Sequence, residues 1–140
     1  MLKGIAKSIS PELLKILCEM GHGDEIVIAD ANFPCESLGK RVIRADGLGG
    51  VETLKNVLSL IPLDTYVKEN FLLMQTVGDD DVPVIWEEYF SVANNLDDNL
   101  RKGYLERFAF YERAKNAYAV IATGETAIYA NIIIKKGVIK

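Results

Sequence analysis

The chain has 140 residues, of which 49% are hydrophobic and 9% aromatic, and its formal net charge is -4. This length predicts one domain with its own core, spanning residues 1–140, and the composition is that of a globular protein rather than a disordered or fibrous one. An acidic chain without clustered Lys and Arg side chains argues against nucleic-acid binding.

The number and spacing of the cysteines and histidines limit the kinds of functional site that the chain can form. Cys18 and Cys35 lack the spacing of a zinc site and are too few for a disulfide scaffold. Only one histidine is present, His22, so a His-rich metal site is excluded. No signal peptide and no apolar run near the ~20 residues of a membrane span are found, which predicts a cytoplasmic protein without a membrane partner.

The first helix is predicted to begin after Ser10, which is followed by Pro11 and Glu12. Serine is a favourable N-cap, proline suits the first helical position, and an acid in the first turn complements the helix dipole. Gly21 is predicted to end this helix, because glycine can take the left-handed conformation that terminates helices. Residues 25–29, centred on three β-branched residues, then form a short apolar strand of the kind that is covered on both faces.

The later elements alternate between the two types. In chain order the sequence predicts a strand at 41–45, a helix at 51–61, a strand at 71–77, helices at 82–94 and 107–116, and strands at 117–122 and 129–134. This alternation predicts one three-layer α/β/α domain with a mainly parallel central sheet. Because the last two strands are joined too tightly for a helical crossover, we expect an antiparallel C-terminal strand pair.

Two residues near the predicted first strand are candidates for chemistry. His22 lies between Gly21 and Gly23, just beyond a helix C-terminus, where the negative end of the helix favours the protonated imidazole that a general acid needs. The structural alternative is a histidine that caps the last helix carbonyls. Asp30 follows the strand, at the edge where ligands collect in open α/β sheets, and its structural alternative is an Asx-turn.

Other motifs favour structural interpretations. The glycine cluster at 47–50 matches neither a dinucleotide-binding fingerprint nor a Walker loop, so a tight strand-to-helix turn is favoured over an anion site. A Ser-His-Asp nucleophile could be assembled on paper from Ser37, His22 and Asp30, yet no serine lies in a nucleophile elbow. Cys35 is a slightly better nucleophile candidate, against the ordinary interpretation of a buried thiol.

The C-terminal third contains polar and aromatic side chains of the kind that a neutral sugar requires of its pocket. These residues are Arg107, Tyr111, Tyr118, Tyr129 and Asn131.

Several blocks of sequence together resemble one family, the fucose mutarotases and ribose pyranases. They are residues 10–15 (SPELLK), 19–26 (EMGHGDEI), 30–31 with 33–34, 42–48 (VIRADGL), 107–114 (RFAFYERA), 123–125, Tyr129 with Asn131, and 135–138. The blocks cover most of the chain in the family's order and spacing, whereas residues 78–105 match poorly.

The resemblance implies an isomerase of carbohydrate metabolism that interconverts the α and β anomers of L-fucose or a related monosaccharide, without metal or cofactor. It implies that His22 is the proton donor and that Asp30, Arg107, Tyr129, Ala130 and Asn131 bind the sugar. The block around Arg107 favours fucose, because ribose pyranases carry histidine there, while Ala130 is shared with the ribose type. The family forms ring-shaped homo-oligomers, often decamers, with pockets near subunit contacts.

Three alternatives remain open at this point. They are a D-ribose pyranase activity, a non-catalytic monosaccharide-binding protein on the same scaffold, and a generic α/β interaction protein in which His22 only caps a helix.

Overall fold

A computed structural model describes residues 1–140 and shows five helices and six strands. In chain order these are α1 (Pro11–Glu19), β1 (Glu25–Ala29), α2 (Cys35–Leu38), β2 (Val42–Ala45), α3 (Gly50–Leu58), β3 (Phe71–Met74), α4 (Ile85–Leu96), β4 (Lys102–Leu105), α5 (Arg107–Asn116), β5 (Ala119–Thr123) and β6 (Ile132–Lys135).

The strands form a single sheet in the order β2-β5-β1-β6-β3-β4. β1, β2 and β5 are parallel neighbours, and so are β3 and β4. β6 is antiparallel to both of its neighbours, β1 and β3, and is therefore the only strand that joins the two parallel groups. The last strand is antiparallel as expected, but it does not pair with β5, because β1 lies between them.

Helices cover both faces of the sheet, which confirms the predicted three-layer α/β fold. Along β1, Ile26 and Ile28 pack with α1, α3 and α4 on one face, while Val27 and Ala29 pack with α2 and α5 on the other. The alternation follows from the two-residue period of a strand. No helix has the length and apolar content that a membrane span requires.

Local sequence signals determine where two helices of the fold begin. The Ser10 hydroxyl accepts a hydrogen bond from the Leu13 amide at 3.1 Å and caps α1 as predicted. At the start of α5 the Glu106 carboxylate accepts from the Phe108 and Ala109 amides. The predicted last strand, in contrast, begins three residues late, so Tyr129, Ala130 and Asn131 form a loop before β6.

Candidate functional site

A cavity of about 410 Å³ opens at the edge of the sheet where β1 and β3 end and β6 begins. Its wall is formed by Asp30, Asn32, Phe33, Met74, Val77, Asp80, Arg107, Tyr111, Ile128, Tyr129 and Asn131. Four of the five sugar-binding residues predicted from the sequence are therefore among the lining residues, and the fifth, Ala130, lies between two of them.

Asp30 and Asn131 form the buried floor of this pocket, with 5% and 4% of their surface exposed. Asn131 Oδ1 accepts from the Asp30 amide at 2.7 Å, and Asn131 Nδ2 donates to Asp30 Oδ2 at 3.0 Å. Burial raises the pKa of the Asp30 carboxyl, against hydrogen bonds from the Asn32 and Ala130 amides and the Asn131 side chain. The pair presents fixed acceptor and donor groups to a ligand.

Tyr129 has a φ of 55°, the only positive φ of a non-glycine residue in the chain. Its hydroxyl donates to the carboxylate of Asp80 and accepts from the Val77 amide at 3.3 Å. The hydrogen bond to Asp80, followed by burial, raises the pKa of this phenol. A tyrosine held in this rare backbone conformation is a feature typical of functional loops.

Helix α4 holds the Tyr129–Ala130 backbone in that conformation. Trp86 Nε1 donates to the Tyr129 carbonyl at 2.8 Å, and the buried Tyr89 hydroxyl donates to the Ala130 carbonyl at 3.0 Å. Ala130 itself contributes its amide, which donates to Asp30 Oδ2 at 3.3 Å. The loop is therefore positioned from the helical layer as well as from the sheet.

Arg107, the first residue of α5, lies at the rim of the pocket. Its Nε donates to the Tyr111 hydroxyl one helical turn later, at 3.1 Å. The Tyr111 ring packs edge-on against Phe33 at 5.5 Å between centroids. Arg107 and Tyr111 thus add a cation and a hydroxyl to the carboxylate and amide of the floor.

His22 lies at the opposite edge of the sheet from this pocket. It precedes β1, whereas Asp30 follows β1, and a five-residue strand spans about 16 Å. The imidazole is instead bound to Asp64, with Nε2 and Oδ1 3.0 Å apart, and its side chain is 44% exposed. Within one chain, His22 and Asp30 do not meet, so Asp30 cannot hold the imidazole of its own chain.

The remaining sequence candidates do not join the pocket chemistry. Cys35 is buried in the core between the sheet and helices α2 and α5, and this burial raises the pKa of its thiol to about 11. Ser37 is exposed on α2. Because His22 is at the other edge, neither can pair with it in one chain. Tyr118 donates to Glu19 and packs under Arg41, also away from the pocket.

The glycine cluster is the structural turn that the sequence favoured. The Gly50 amide, at the N-terminus of α3, donates to Glu125 Oε2 at 3.0 Å. The position that an external anion would take is thus occupied by a carboxylate of the chain itself.

A larger surface cavity, about 990 Å³, lies elsewhere, between the N-terminal segment, α3 and α4. None of the residues singled out from the sequence lines it. The smaller pocket is the better candidate because it combines a buried carboxylate, a buried amide and a strained tyrosine at the carboxyl ends of strands. No group of three or more His, Cys, Asp and Glu side chains is arranged to hold a metal ion.

Sequence reasoning missed Asp64, Asp80 and the apolar wall residues Met74, Val77 and Ile128. Asp64 is 42 residues from His22, and Asp80 is 49 residues from Tyr129. No local pattern marks either contact. Only the strand order β1-β6-β3, in which β6 pairs with both β1 and β3, could have indicated them.

An α/β sheet with a small polar and aromatic pocket beside its strand ends is typical of proteins that bind a small polar molecule. The sequence pattern of the RbsD / FucU transport protein family matches residues 3–139. The chain belongs to this family, which confirms the resemblance found in the sequence.

Individual relatives are similar over the whole chain. The L-fucose mutarotase of Actinobacillus pleuropneumoniae serotype 5b is 52% identical over 140 residues, covering 99% of this chain and 97% of that protein. The crystal structure of the fucose mutarotase in complex with L-fucose from Streptococcus pneumoniae has a TM-score of 0.95 and 52% identity, covering 99% of this chain and all of that one. Bacillus subtilis RbsD complexed with D-ribose is more distant, with a TM-score of 0.73 and 29% identity over both full chains.

Proposed function

We propose that this chain is an isomerase that interconverts the α and β anomers of L-fucose. The pocket built on Asp30 and Asn131 carries the proposal, because it lies in a chain 52% identical to an L-fucose mutarotase and to a fucose mutarotase solved with L-fucose. The ribose-bound relative is only 29% identical, which favours fucose over ribose as substrate.

Anomer exchange opens the hemiacetal ring to an aldehyde and closes it on the other face. On opening, an acid gives a proton to the ring oxygen as the bond from C1 to that oxygen breaks, and the anomeric hydroxyl proton passes to a solvent water. Both protons move back on closure. One positioned acid/base contributes typically about 10²–10⁴-fold, and orientation of the sugar contributes more.

The pocket residues supply the orientation. The Asp30 carboxylate accepts from a sugar hydroxyl, and Asn131 fixes the carboxylate through its side-chain amide. The Tyr129 hydroxyl and the Arg107 guanidinium contact further hydroxyls from the loop and from α5, and Ala130 contributes backbone. The apolar side chains of Met74, Val77 and Ile128 line the same cavity and suit the deoxygenated carbon of fucose.

His22 supplies the acid/base from a second copy of the chain. The pocket contains no imidazole, and the one imidazole of each chain is partly exposed at the opposite edge of the sheet. Packing that edge against the pocket of a neighbouring copy would complete the site. This arrangement agrees with the ring-shaped homo-oligomer, a decamer in many relatives, that the resemblance implies, and the cytoplasmic location stays a prediction from the sequence.

Saturation-transfer NMR on L-fucose and on D-ribose tests the proposal. Catalytic amounts of protein are expected to accelerate exchange between the fucose anomers, and His22→Ala is expected to remove this acceleration. Lys68→Ala replaces an exposed lysine that forms no side-chain hydrogen bond or ion pair; it is the control and should behave as the unmodified chain.

Two results would contradict the proposal. Binding of L-fucose without accelerated exchange would identify a non-catalytic sugar-binding protein. Acceleration of pyranose–furanose exchange in ribose, with fucose unaffected, would identify a ribose pyranase.

A further inference from the structure

The side chain of Asp64 lies directly beneath the exposed imidazole of His22. Asp64 is 2% exposed and its Oδ1 is 3.0 Å from His22 Nε2. It does not line the sugar pocket, which is at the other edge of the sheet. Asp64 therefore touches the proposed acid/base and not the proposed binding residues of its own chain.

The position of this carboxylate is fixed independently of His22. Asp64 Oδ1 also accepts from the Tyr66 amide at 3.1 Å, and the Asp64 amide donates to the Lys135 carbonyl at 3.0 Å. The Asp64 carbonyl accepts from Asn70 Nδ2 at 2.9 Å. A β-carbon on Gly137 would lie 2.8 Å from the Asp64 Cα, so the segment after β6 packs closely on it.

The charge of Asp64 determines which imidazole nitrogen is protonated. Burial alone would raise the pKa of this carboxyl, but the Tyr66 amide, the hydrogen bond and charge of His22, and the charge of Lys135 outweigh it and lower the pKa. An ionised carboxylate only accepts hydrogen bonds. Nε2 must then carry the hydrogen, whether the ring is neutral or protonated.

The other charged and titratable groups near the ring do not compete for Nε2. The Tyr66 ring packs against the His22 ring at 5.3 Å between centroids, tilted by 56°, and the Lys140 ammonium lies 5.6 Å from the centroid of the Tyr66 ring. Asp24, in the same loop as His22, accepts from the Gly21 amide at 2.8 Å.

We infer that Asp64 is a positioning residue that holds His22 as the Nε2–H tautomer, so that Nδ1 is the nitrogen that exchanges a proton with the sugar. The assignment of Nδ1 to the reaction rests on the proposed function, whereas the tautomer does not. In ring opening the Nδ1 proton moves to the ring oxygen and leaves a neutral Nε2–H imidazole. Asp64 stays ionised throughout, as the aspartate of a serine-protease triad does.

The single histidine of each chain makes the tautomer directly measurable. Selective ¹⁵N labelling of histidine gives the signals of one imidazole, without mutation and without substrate. Above the titration of the ring, Nε2 is expected to show the shift of a fully protonated nitrogen with an observable bound proton, and Nδ1 that of an unprotonated one. Shifts averaged between two tautomers, or a protonated Nδ1, would overturn the inference.

Asp64→Asn tests the positioning role in catalysis. Asparagine keeps the size and can still accept from the Tyr66 amide, but the charge is lost. We expect kcat for fucose exchange to fall by at least about tenfold, with KM nearly unchanged because Asp64 is outside the pocket. The asparagine amide can donate to Nε2 as well as accept from it, so the ¹⁵N histidine spectrum of Asp64→Asn should show both tautomers instead of one.

Asp24→Asn is the matched control, since it removes a carboxylate from the same loop that does not touch the ring. It should leave kcat and the single Nε2–H tautomer as they are in the unmodified chain. Equal losses in both variants, or an Asp64→Asn spectrum that still shows a single Nε2–H tautomer, would show a structural role only. If Asp64→Asn does not fold, the ¹⁵N histidine spectrum of the unmodified chain tests the inference by itself. A fixed Nε2–H tautomer in a protein without exchange activity would support the positioning of His22 and refute the proposed function.

Discussion

Tyr89 occupies the space that a β-carbon on Gly50 would need. A β-carbon built on Gly50 would lie 2.0 Å from the Tyr89 hydroxyl oxygen, which is far inside contact distance. The same hydroxyl donates to the Ala130 carbonyl, so the first residue of α3 is connected through α4 to the loop that forms the pocket.

Gly50→Ala should therefore destabilise the protein, although alanine is the better helix former. Overpacking against the buried Tyr89 is expected to cost about 1–3 kcal/mol and to weaken fucose binding by displacing Ala130. Gly47→Ala is the matched control, because no atom lies within 4 Å of its built β-carbon. Denaturant unfolding and titration calorimetry measure both effects, and equal stability of the two variants would contradict the account.

Complementation should reveal whether a site draws on two chains. His22→Ala and Asp30→Asn are each expected to lack exchange activity, because one loses the acid and the other the charged acceptor. If both groups come from different chains, unfolding and refolding an equal mixture restores about a quarter of the sites, which then combine an intact His22 with an intact Asp30. A mixture that stays inactive would place each site within one chain. Refolding each variant alone is the control.

Acid should weaken fucose binding at a pH above the ordinary aspartate pKa of about 3.9. Burial raises the pKa of Asp30, so its carboxylate is protonated and lost as an acceptor earlier than in a free side chain. The stability effect has the opposite sign. A group whose folded pKa is raised binds its proton more readily in the folded state, so it adds stability as the pH falls through that pKa.

Calorimetric Kd values between pH 7 and pH 4, with circular dichroism at each pH, separate binding from unfolding. A binding midpoint at or below the ordinary aspartate value would contradict the role of Asp30. Asp64, whose pKa is lowered, loses its contribution to stability only at still lower pH.

The two thiols should differ sharply in reactivity. Cys18 is exposed, whereas Cys35 is buried with its pKa raised to about 11, and the thiolate is the reactive form. A thiol reagent at pH 8 is expected to modify one cysteine per native chain, and Cys18→Ser should abolish this fast phase. Cys35→Ala should keep its exchange activity. Fast modification of a second cysteine, or a folded Cys35→Ala variant without exchange activity, would support Cys35 as a nucleophile.

Local sequence signals predicted the elements whose causes are local. The bounds of β1 and α5 agree with the sequence prediction, and α1 begins at Pro11 because Ser10 caps it. β4, with the sequence Lys-Gly-Tyr-Leu, was missed because it has no apolar run. It is an edge strand that exists only through its pairing with β3.

The candidate site was predicted in part. Residues 129–131 and Asp30 lie together because β1 and β6 are antiparallel neighbours, so the end of one strand meets the start of the other. The same geometry separates His22 from Asp30, although they are only eight positions apart. The family resemblance assigns both residues to one sugar site, whereas the strand between them places them at opposite ends of the sheet within one chain. The Asp64 contact arises from tertiary packing alone.

The central place of β6 has a consequence for the order in which the molecule is assembled. Both neighbours of β6 precede it in the chain. During synthesis the two groups of parallel strands therefore cannot join into one sheet until β6 has been translated. Until then, β1 and β3, which are both apolar, each lack the partner strand that hydrogen-bonds to one of their sides. Nascent chains would need protection from mutual aggregation at this stage, and a late frameshift would leave two half-sheets instead of a slightly shortened protein.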